Sequence, residues 1–338
     1  MFNDVVNPGK IRNLRAILSE DGYFLMSAID HLADFSDLLP ASPEDEKFEH
    51  VVRSKDRIAR VLGEESSAVL LDPEFGIGHL GLSGAIPRST GMVASIEGDD
   101  YSIRHEERHT TLRDGWDPSE ARKSGAQAAK LLWYYRPDGN AEVKASQIAV
   151  LETFIKQCDE VSLPTIVEPI WNPLPGEDTN SSEWKMARVA GIVQSAKDVD
   201  RMNADVLKLE FPGYLGSPDS LRRAREACAS ITAAVHRPWV ILSAGVSYEE
   251  FACQLEIAAK AGASGYLAGR SLWREAASAR SAEEFVEAIT LTRERIRKLN
   301  AITRAYARPY SPVITVDDAL KRLEPTWYVA EKPDTAEV

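Results

Sequence analysis

The chain has 338 residues, 44% hydrophobic and 27% charged, a composition ordinary for a soluble globular enzyme. Its formal net charge of −12 argues against nucleic acid or an anionic membrane as partner, so an anionic ligand must be drawn in by local Lys and Arg. The length is long for one core, yet α/β barrels reach it as a single domain.

Residues 7–18 carry apolar positions at helical spacing, with Asn7-Pro8 as cap and first turn. Residues 22–30 form a compact apolar strand ending in Asp30, and a loop follows over residues 34–43. A helical pattern then runs through Phe48, Val51, Val52, Ile58 and Val61. Residues 67–72 are a second buried strand, ending in Asp72, and the glycine-rich residues 76–84 are expected to turn. Residues 91–96 make a third strand, followed by an irregular polar segment over 97–114 and a short helix from Asp117-Pro118 to Ser124. Residues 127–134 read as the fourth strand, with Lys130 inside it, and a helix is expected over 145–159. The fifth strand, 163–169, contains Glu168; a Pro/Trp loop and a helix over 183–199 come next.

Residues 205–211 are the sixth strand, apolar at Val206, Leu207, Leu209 and Phe211, with Lys208 in its middle. A helix over 221–235 precedes the seventh strand, 238–245, and one over 249–261 precedes the eighth, 264–270. A long helix over 282–299 and a short one over 315–323 complete the pattern, and the charged end beyond Val329 is expected to fray. Eight apolar strands alternating with helices predict an α/β chain with a parallel sheet, closed as a single (β/α)8 or TIM barrel over residues 1–308. An N-terminal helix precedes it, and residues 309–338 are a partly disordered extension. A doubly wound open sheet would show a Gly-rich turn after its first strand, and Asp30-His31-Leu32 is not one.

In such barrels the working groups project from the C-terminal strand ends. Those ends hold Asp30, Asp72, Lys130, Glu168, Lys208, Ser243 and Arg270. Strand alternation that puts Lys208 in the lumen turns Leu207 and Leu209 toward the helices. Burying an unpaired ammonium costs several kcal/mol, about the range for lone buried charges, and a buried amine that sheds its proton is a nucleophile for carbonyl carbon. On the residues alone, Lys208 is either a Schiff-base lysine or one half of an ion pair with Glu168 or Glu210. Lys130 is either a cation acting on Lys208 or a ligand for a substrate oxyanion. The loops after strands seven and eight, Ser243-Ala244-Gly245-Val246 and Gly269-Arg270-Ser271, lie where barrels often bind phosphate.

Six segments in order, SAVLLDPEFG (67–76), AKLLWYY (129–135), VEP (167–169), DVLKLE (205–210), LSAGV (242–246) and GRSLW (269–273), resemble the class I tagatose-1,6-bisphosphate aldolases and the related aldolase for 6-deoxy-6-sulfofructose 1-phosphate. The resemblance implies that Lys208 forms the imine and Glu168 is the acid/base. It implies that Lys130 and Asp30 contact substrate oxygens, and that Ser243 and Arg270, with Gly245 and Gly269 beside them, serve the phosphate end. The implied reaction cleaves a ketose 1-phosphate, giving glycerone phosphate and a three-carbon aldehyde, with sulfolactaldehyde as the aldehyde in the alternative. No metal or other cofactor is implied, and the implied partners are a ketose phosphate and further copies of the chain. After the first-strand aspartate the family reads Gln-Arg, whereas here it reads His31-Leu32, which bears on recognition beyond the cleaved bond.

Other readings stay open. A metal-dependent aldolase needs converging histidines, and His105 and His109 sit at i, i+4 in an irregular segment with no third ligand. A barrel isomerase using Glu168 as base, or a silent sugar-phosphate sensor, would use the same strand ends. Cys158, Cys228 and Cys253 show no CxxC spacing and read as buried apolar residues of a chain from a reducing compartment. No charged-then-apolar leader and no apolar run of membrane-span length is present, so a cytoplasmic protein is expected.

Overall fold

The computed structural model describes residues 7–98, 103–104 and 108–328. The frayed end expected beyond Val329 lies outside these residues, as does His105. Helix α1 (Pro8–Ala16) opens on Pro8, with the Asn7 side chain accepting from the Lys10 amide. Then follow β1 (Phe24–Ala28), α2 (Ala33–Ser36), α3 (Lys47–Glu65), β2 (Ala68–Leu71), α4 (Ile77–Leu82), β3 (Gly91–Ser95), β4 (Glu97–Gly98) and β5 (Thr111–Leu112). Next come α5 (Pro118–Lys123), β6 (Ala128–Tyr134), α6 (Ala141–Glu160), β7 (Thr165–Ile170), α7 (Ser182–Arg201), β8 (Val206–Leu209) and α8 (Pro218–Ala234). The chain continues through β9 (Trp239–Leu242), α9 (Tyr248–Lys260), β10 (Gly265–Ala268), α10 (Arg270–Ala277), α11 (Ala282–Tyr306) and α12 (Val316–Arg322).

Eight strands close into a parallel barrel in the order β1-β10-β9-β8-β7-β6-β3-β2, while β4 and β5 pair as a separate antiparallel ribbon. The strands alternate as their sequences require. Leu207 and Leu209 of β8 pack in the layer between strands and helices, whereas Val206 lies in the lumen with Met26, Leu70, Val93, Ile166, Val240 and Leu267. Lys208 shares the face of Val206. At the opposite end from the polar mouth, Leu14 and Ile17 of the α1 region close the lumen, and Tyr310 stacks on Phe24 at 6.0 Å.

Several local expectations are corrected. Residues 77–82 are helical, not a turn: burial of Ile77 and Leu80 outweighs the poor helix propensity of two glycines. Gly76 enters that helix so close to β2 that a Cβ there would lie 2.7 Å from the Asp72 carbonyl oxygen. The loop over 34–43 begins with α2, and α6 starts four residues before the expected helix, because Asn140 caps the amides of Glu142 and Val143. Arg270 is the first residue of α10, a helix the sequence left unread, whose Leu272, Trp273, Ala276 and Ala277 are buried. Cys253 is exposed, while Cys158 and Cys228 are buried. Among the described residues no helix is long and apolar enough to cross a membrane.

Candidate active site

Parallel pairing gathers the lumen-facing polar residues of neighbouring strands at the C-terminal mouth. Lys130 of β6 lies opposite Ile166 of β7, and Leu132 lies opposite Glu168, so Glu168 projects one step above Lys130. The Lys208 Nζ donates to Glu168 Oε2 at 2.8 Å. The Lys130 Nζ reaches the same oxygen at 2.9 Å, Glu97 Oε1 at 2.6 Å and Asp30 Oδ2 at 3.4 Å. Two amines thus share one carboxylate, and one of them is ringed by three. Side-chain exposure of Lys130, Lys208 and Glu168 is 3%, 7% and 8%, low enough that these charges interact with little screening by water.

That geometry sets the protonation states. Burial lowers the Lys130 ammonium's pKa, but the charges of Glu168, Glu97 and Asp30 outweigh it and hold the group well above the usual lysine range. Burial raises the Glu168 carboxyl, and the two ammonium groups outweigh it, leaving Glu168 below the usual carboxylate range. Asp30 is likewise raised by burial but pulled to about 2, chiefly by Lys130 and then by His31 and Lys208. His31 is pushed down to about 4, mainly by burial and then by Arg270, Lys208 and Lys55 against the pull of Asp30. It is therefore a neutral imidazole at pH 7.

These groups line a cavity of about 400 Å³, together with Asp34, Arg108, Leu132, Tyr134, Ile170, Glu210, Leu242, Ala244 and Arg270. Glu210 is not a partner of Lys208: its carboxylate accepts from Arg188 at 2.7 Å and from the Trp171 amide at 2.8 Å. The ion-pair alternative narrows to Glu168.

The loops after β9 and β10 meet on one side of the cavity. Ala244 and Gly245 take positive φ of 47° and 74°, a turn that favours glycine at the second position. The turn carries Gly245 beneath Arg270: a Cβ there would lie 3.2 Å from the guanidinium. Ser243 is buried, and its Oγ lies 3.5 Å from the Gly269 amide. The His31 ring lies over Gly269, where a Cβ would come within 2.7 Å of it, and sits edge-on to Trp273 at 5.3 Å. Its Nδ1 lies 3.5 Å from Asp30 Oδ1. His31 thus stands between Asp30 and the Arg270 corner.

Of the strand-end residues read from the sequence, Asp30, Lys130, Glu168, Lys208 and Arg270 converge here; Ser243 is buried between the lining residues Leu242 and Ala244 without lining the cavity itself, and Asp72 lies apart. Its carboxylate pairs with Lys55 of α3 and accepts from the Phe75 amide at 2.7 Å. Glu97 was missed. It follows β3 as Asp30 follows β1, but it opens the irregular polar segment, where an acid looks like a solvated one. The same strand-end rule would have found it. His109 is exposed at the start of that segment's return, and among the described residues no group of three or more His, Cys, Asp or Glu is arranged to hold a metal ion.

A family model described as "DeoC/LacD family aldolase" matches residues 24–275, from the first residue of β1 to near the end of α10. The chain belongs to the DeoC/LacD family of aldolases, and is a lyase. Among curated relatives, "Tagatose 1,6-diphosphate aldolase 1" of Enterococcus faecalis is 30% identical over 230 residues, covering 64% of this chain and 70% of the relative. "Tagatose 1,6-diphosphate aldolase" of Staphylococcus haemolyticus is 27% identical over 278 residues, covering 78% and 85%. The fold of this DeoC/LacD aldolase resembles that of a fructose-bisphosphate aldolase from Slackia heliotrinireducens, with a TM-score of 0.62 at 16% identity, covering 90% of this chain and 93% of that one. It also resembles a Schiff-base-forming fructose-1,6-bisphosphate aldolase, with a TM-score of 0.56 at 14% identity over 88% and 99% of the two chains.

Proposed function

We propose that this protein is a class I, metal-independent aldolase that cleaves a ketose 1-phosphate resembling tagatose 1,6-bisphosphate into glycerone phosphate and a three-carbon aldehyde. The observation that carries the reading is the lumen lysine Lys208, with its amine 2.8 Å from the Glu168 carboxylate at the floor of an open cavity. A structural pair would be sealed, with each charge holding its own partner; here a second lysine competes for the same oxygen.

In this reading Lys208 hands a proton to Glu168 Oε2 and its amine adds to C2 of the ketose. Glu168 returns the proton to the leaving hydroxyl, water departs from the carbinolamine, and a protonated imine remains. Glu168, ionised again, takes the proton of the C4 hydroxyl and later returns it to C3; as the proton leaves, the C3–C4 bond breaks and its electron pair passes through C3 to the imine nitrogen as an enamine. The aldehyde leaves, C3 is reprotonated, and water releases glycerone phosphate and the free amine. Lys130, kept charged by its three carboxylates, faces the substrate oxygens with Asp30 and holds Glu168 ionised between proton transfers. Neutral His31 offers a hydrogen bond without adding charge. Ser243, Gly245, Gly269 and Arg270 form the corner for the 1-phosphate, through backbone amides, a hydroxyl and a guanidinium.

Borohydride reduction in the presence of glycerone phosphate tests this directly. The expected product is a covalent adduct on the peptide containing Lys208, absent in Lys208→Met, which should also lose roughly 10⁴-fold or more in cleavage rate, as removal of a covalent nucleophile does. Full cleavage activity in Lys208→Met would end the proposal, and so would activity lost to chelator and restored by zinc.

A further inference from the structure

The Arg270 corner already holds an anion, and that anion belongs to the protein. The Arg270 Nη1 donates to Asp34 Oδ2 at 2.6 Å, and both side chains line the cavity. With the guanidinium lying over Gly245, a group of opposite charge sits where the corner would take a phosphate.

Asp34 stands on α2, and the backbone there is pinned from below. Phe35 is fully buried against Trp273, with ring centroids 5.2 Å apart, and the Lys55 Nζ donates to the His31 carbonyl at 2.9 Å. The Asp34 side chain itself is 38% exposed and that of Arg270 32%, so the carboxylate can rotate into solvent without moving α2. An ion pair this exposed is weak, and a phosphate that engages the guanidinium fork and nearby backbone amides together outbids it.

We propose that Asp34 is a displaceable counter-anion of Arg270. It holds the guanidinium over the corner while the cavity is empty, gives way to the phosphate of the incoming ketose, and takes Arg270 back as glycerone phosphate leaves. Asp34 is then a positioning and specificity residue: it raises the threshold for anion binding and speeds release of the phosphorylated product. The inference rests on the reading of this corner as the phosphate site.

Titration of inorganic phosphate into the full-length protein, with steady-state kinetics on a ketose 1-phosphate, tests it. Changing a side chain that builds a binding site weakens binding, whereas neutralising an anion that competes for the guanidinium strengthens it, so the sign of the change separates the two roles. Asp34→Asn, nearly isosteric and at a half-buried position, should tighten phosphate binding at least threefold and lower KM by a similar factor. Arg270→Met should weaken phosphate binding at least tenfold. If Arg270→Met weakens binding while Asp34→Asn leaves it unchanged or weaker, the corner stands and the counter-anion role is overturned. If Arg270→Met leaves phosphate affinity as it was, the corner is not the phosphate site and both ideas fall together.

Discussion

Two buried lysine–carboxylate arrangements lie close to each other in this barrel, and they are built differently. Lys55 and Asp72 form a sealed pair, with side-chain exposures of 0% and 1%, and neither lines the cavity. Each has its valences filled: Lys55 also donates to the His31 carbonyl and sits over the Phe35 and Phe75 rings, and Asp72 also accepts from the Phe75 amide. The Lys208, Glu168 and Lys130 cluster is over-subscribed and opens onto the cavity. The protonation balance differs as well. Burial outweighs the pull of Asp72, with Asp30 and Glu74 behind it, and lowers Lys55, whereas Glu168, Glu97 and Asp30 together reverse the sign at Lys130. A buried lysine alone is therefore no sign of chemistry; sharing of a partner and access to space are what set the mouth apart.

The sharpest way to break this contrast is Glu168→Gln. If the cluster is chemical, kcat should fall by about 10²–10⁴, the usual span for a lost acid/base group, while borohydride still traps an adduct on Lys208 more slowly. A variant that instead loses stability and keeps its turnover per folded molecule would put Glu168 in the same class as Asp72.

The converse test is Lys55→Met, which strands the Asp72 carboxylate in the core. Urea unfolding should show a loss of about 3–5 kcal/mol, the range for breaking a buried pair from one side. The double variant Lys55→Met/Asp72→Leu should recover most of it, because no charge is left to desolvate. Turnover per folded molecule should change far less than in Glu168→Gln. A kcat collapse in the double variant without loss of folded protein would mean that the pair acts on the reaction.

How much of this was legible follows from where each signal is written. Lys208 stood out because a lysine inside a four-residue apolar strand has no local excuse, and strand alternation fixed its face. Lys55 carried a comparable signal, sitting in the apolar stripe of α3 between Val51 and Ile58, but a lysine in a helix looks solvated unless its partner is known. That partner, Asp72, lies 17 residues away on another element, so Asp72 looked like one more strand-end acid. Arg270 lies at the mouth on α10 and not in the strand, because Gly269 follows β10 and caps a helix that burial of Trp273 decides. The barrel was legible from periodicity. The pairings inside it were not, since sequence spacing does not encode which charges meet across it.

The smallest expected effect concerns His31, which links the two regions: its carbonyl accepts a hydrogen bond from the Lys55 ammonium and its ring stands beside Asp30 in the mouth. Its pKa in the fold is depressed from 6.5 to about 4, so the unfolded chain binds a proton there that the folded one refuses. The sign is then fixed: the full contribution to stability is present above pH 6.5 and is lost progressively as pH falls toward 4, at a slope of at most about 1.4 kcal/mol per pH unit. His31→Gln should flatten the stability curve in that window. Loss of the Asp30 contribution falls lower, between 3.8 and about 2, so the two can be separated in one series of urea titrations. A His31→Gln curve that keeps the wild-type slope between pH 6.5 and 4 would show that the imidazole takes up its proton readily in the fold. Below pH 6.5 it would then stand in the mouth as a cation and add to the charge around Asp30.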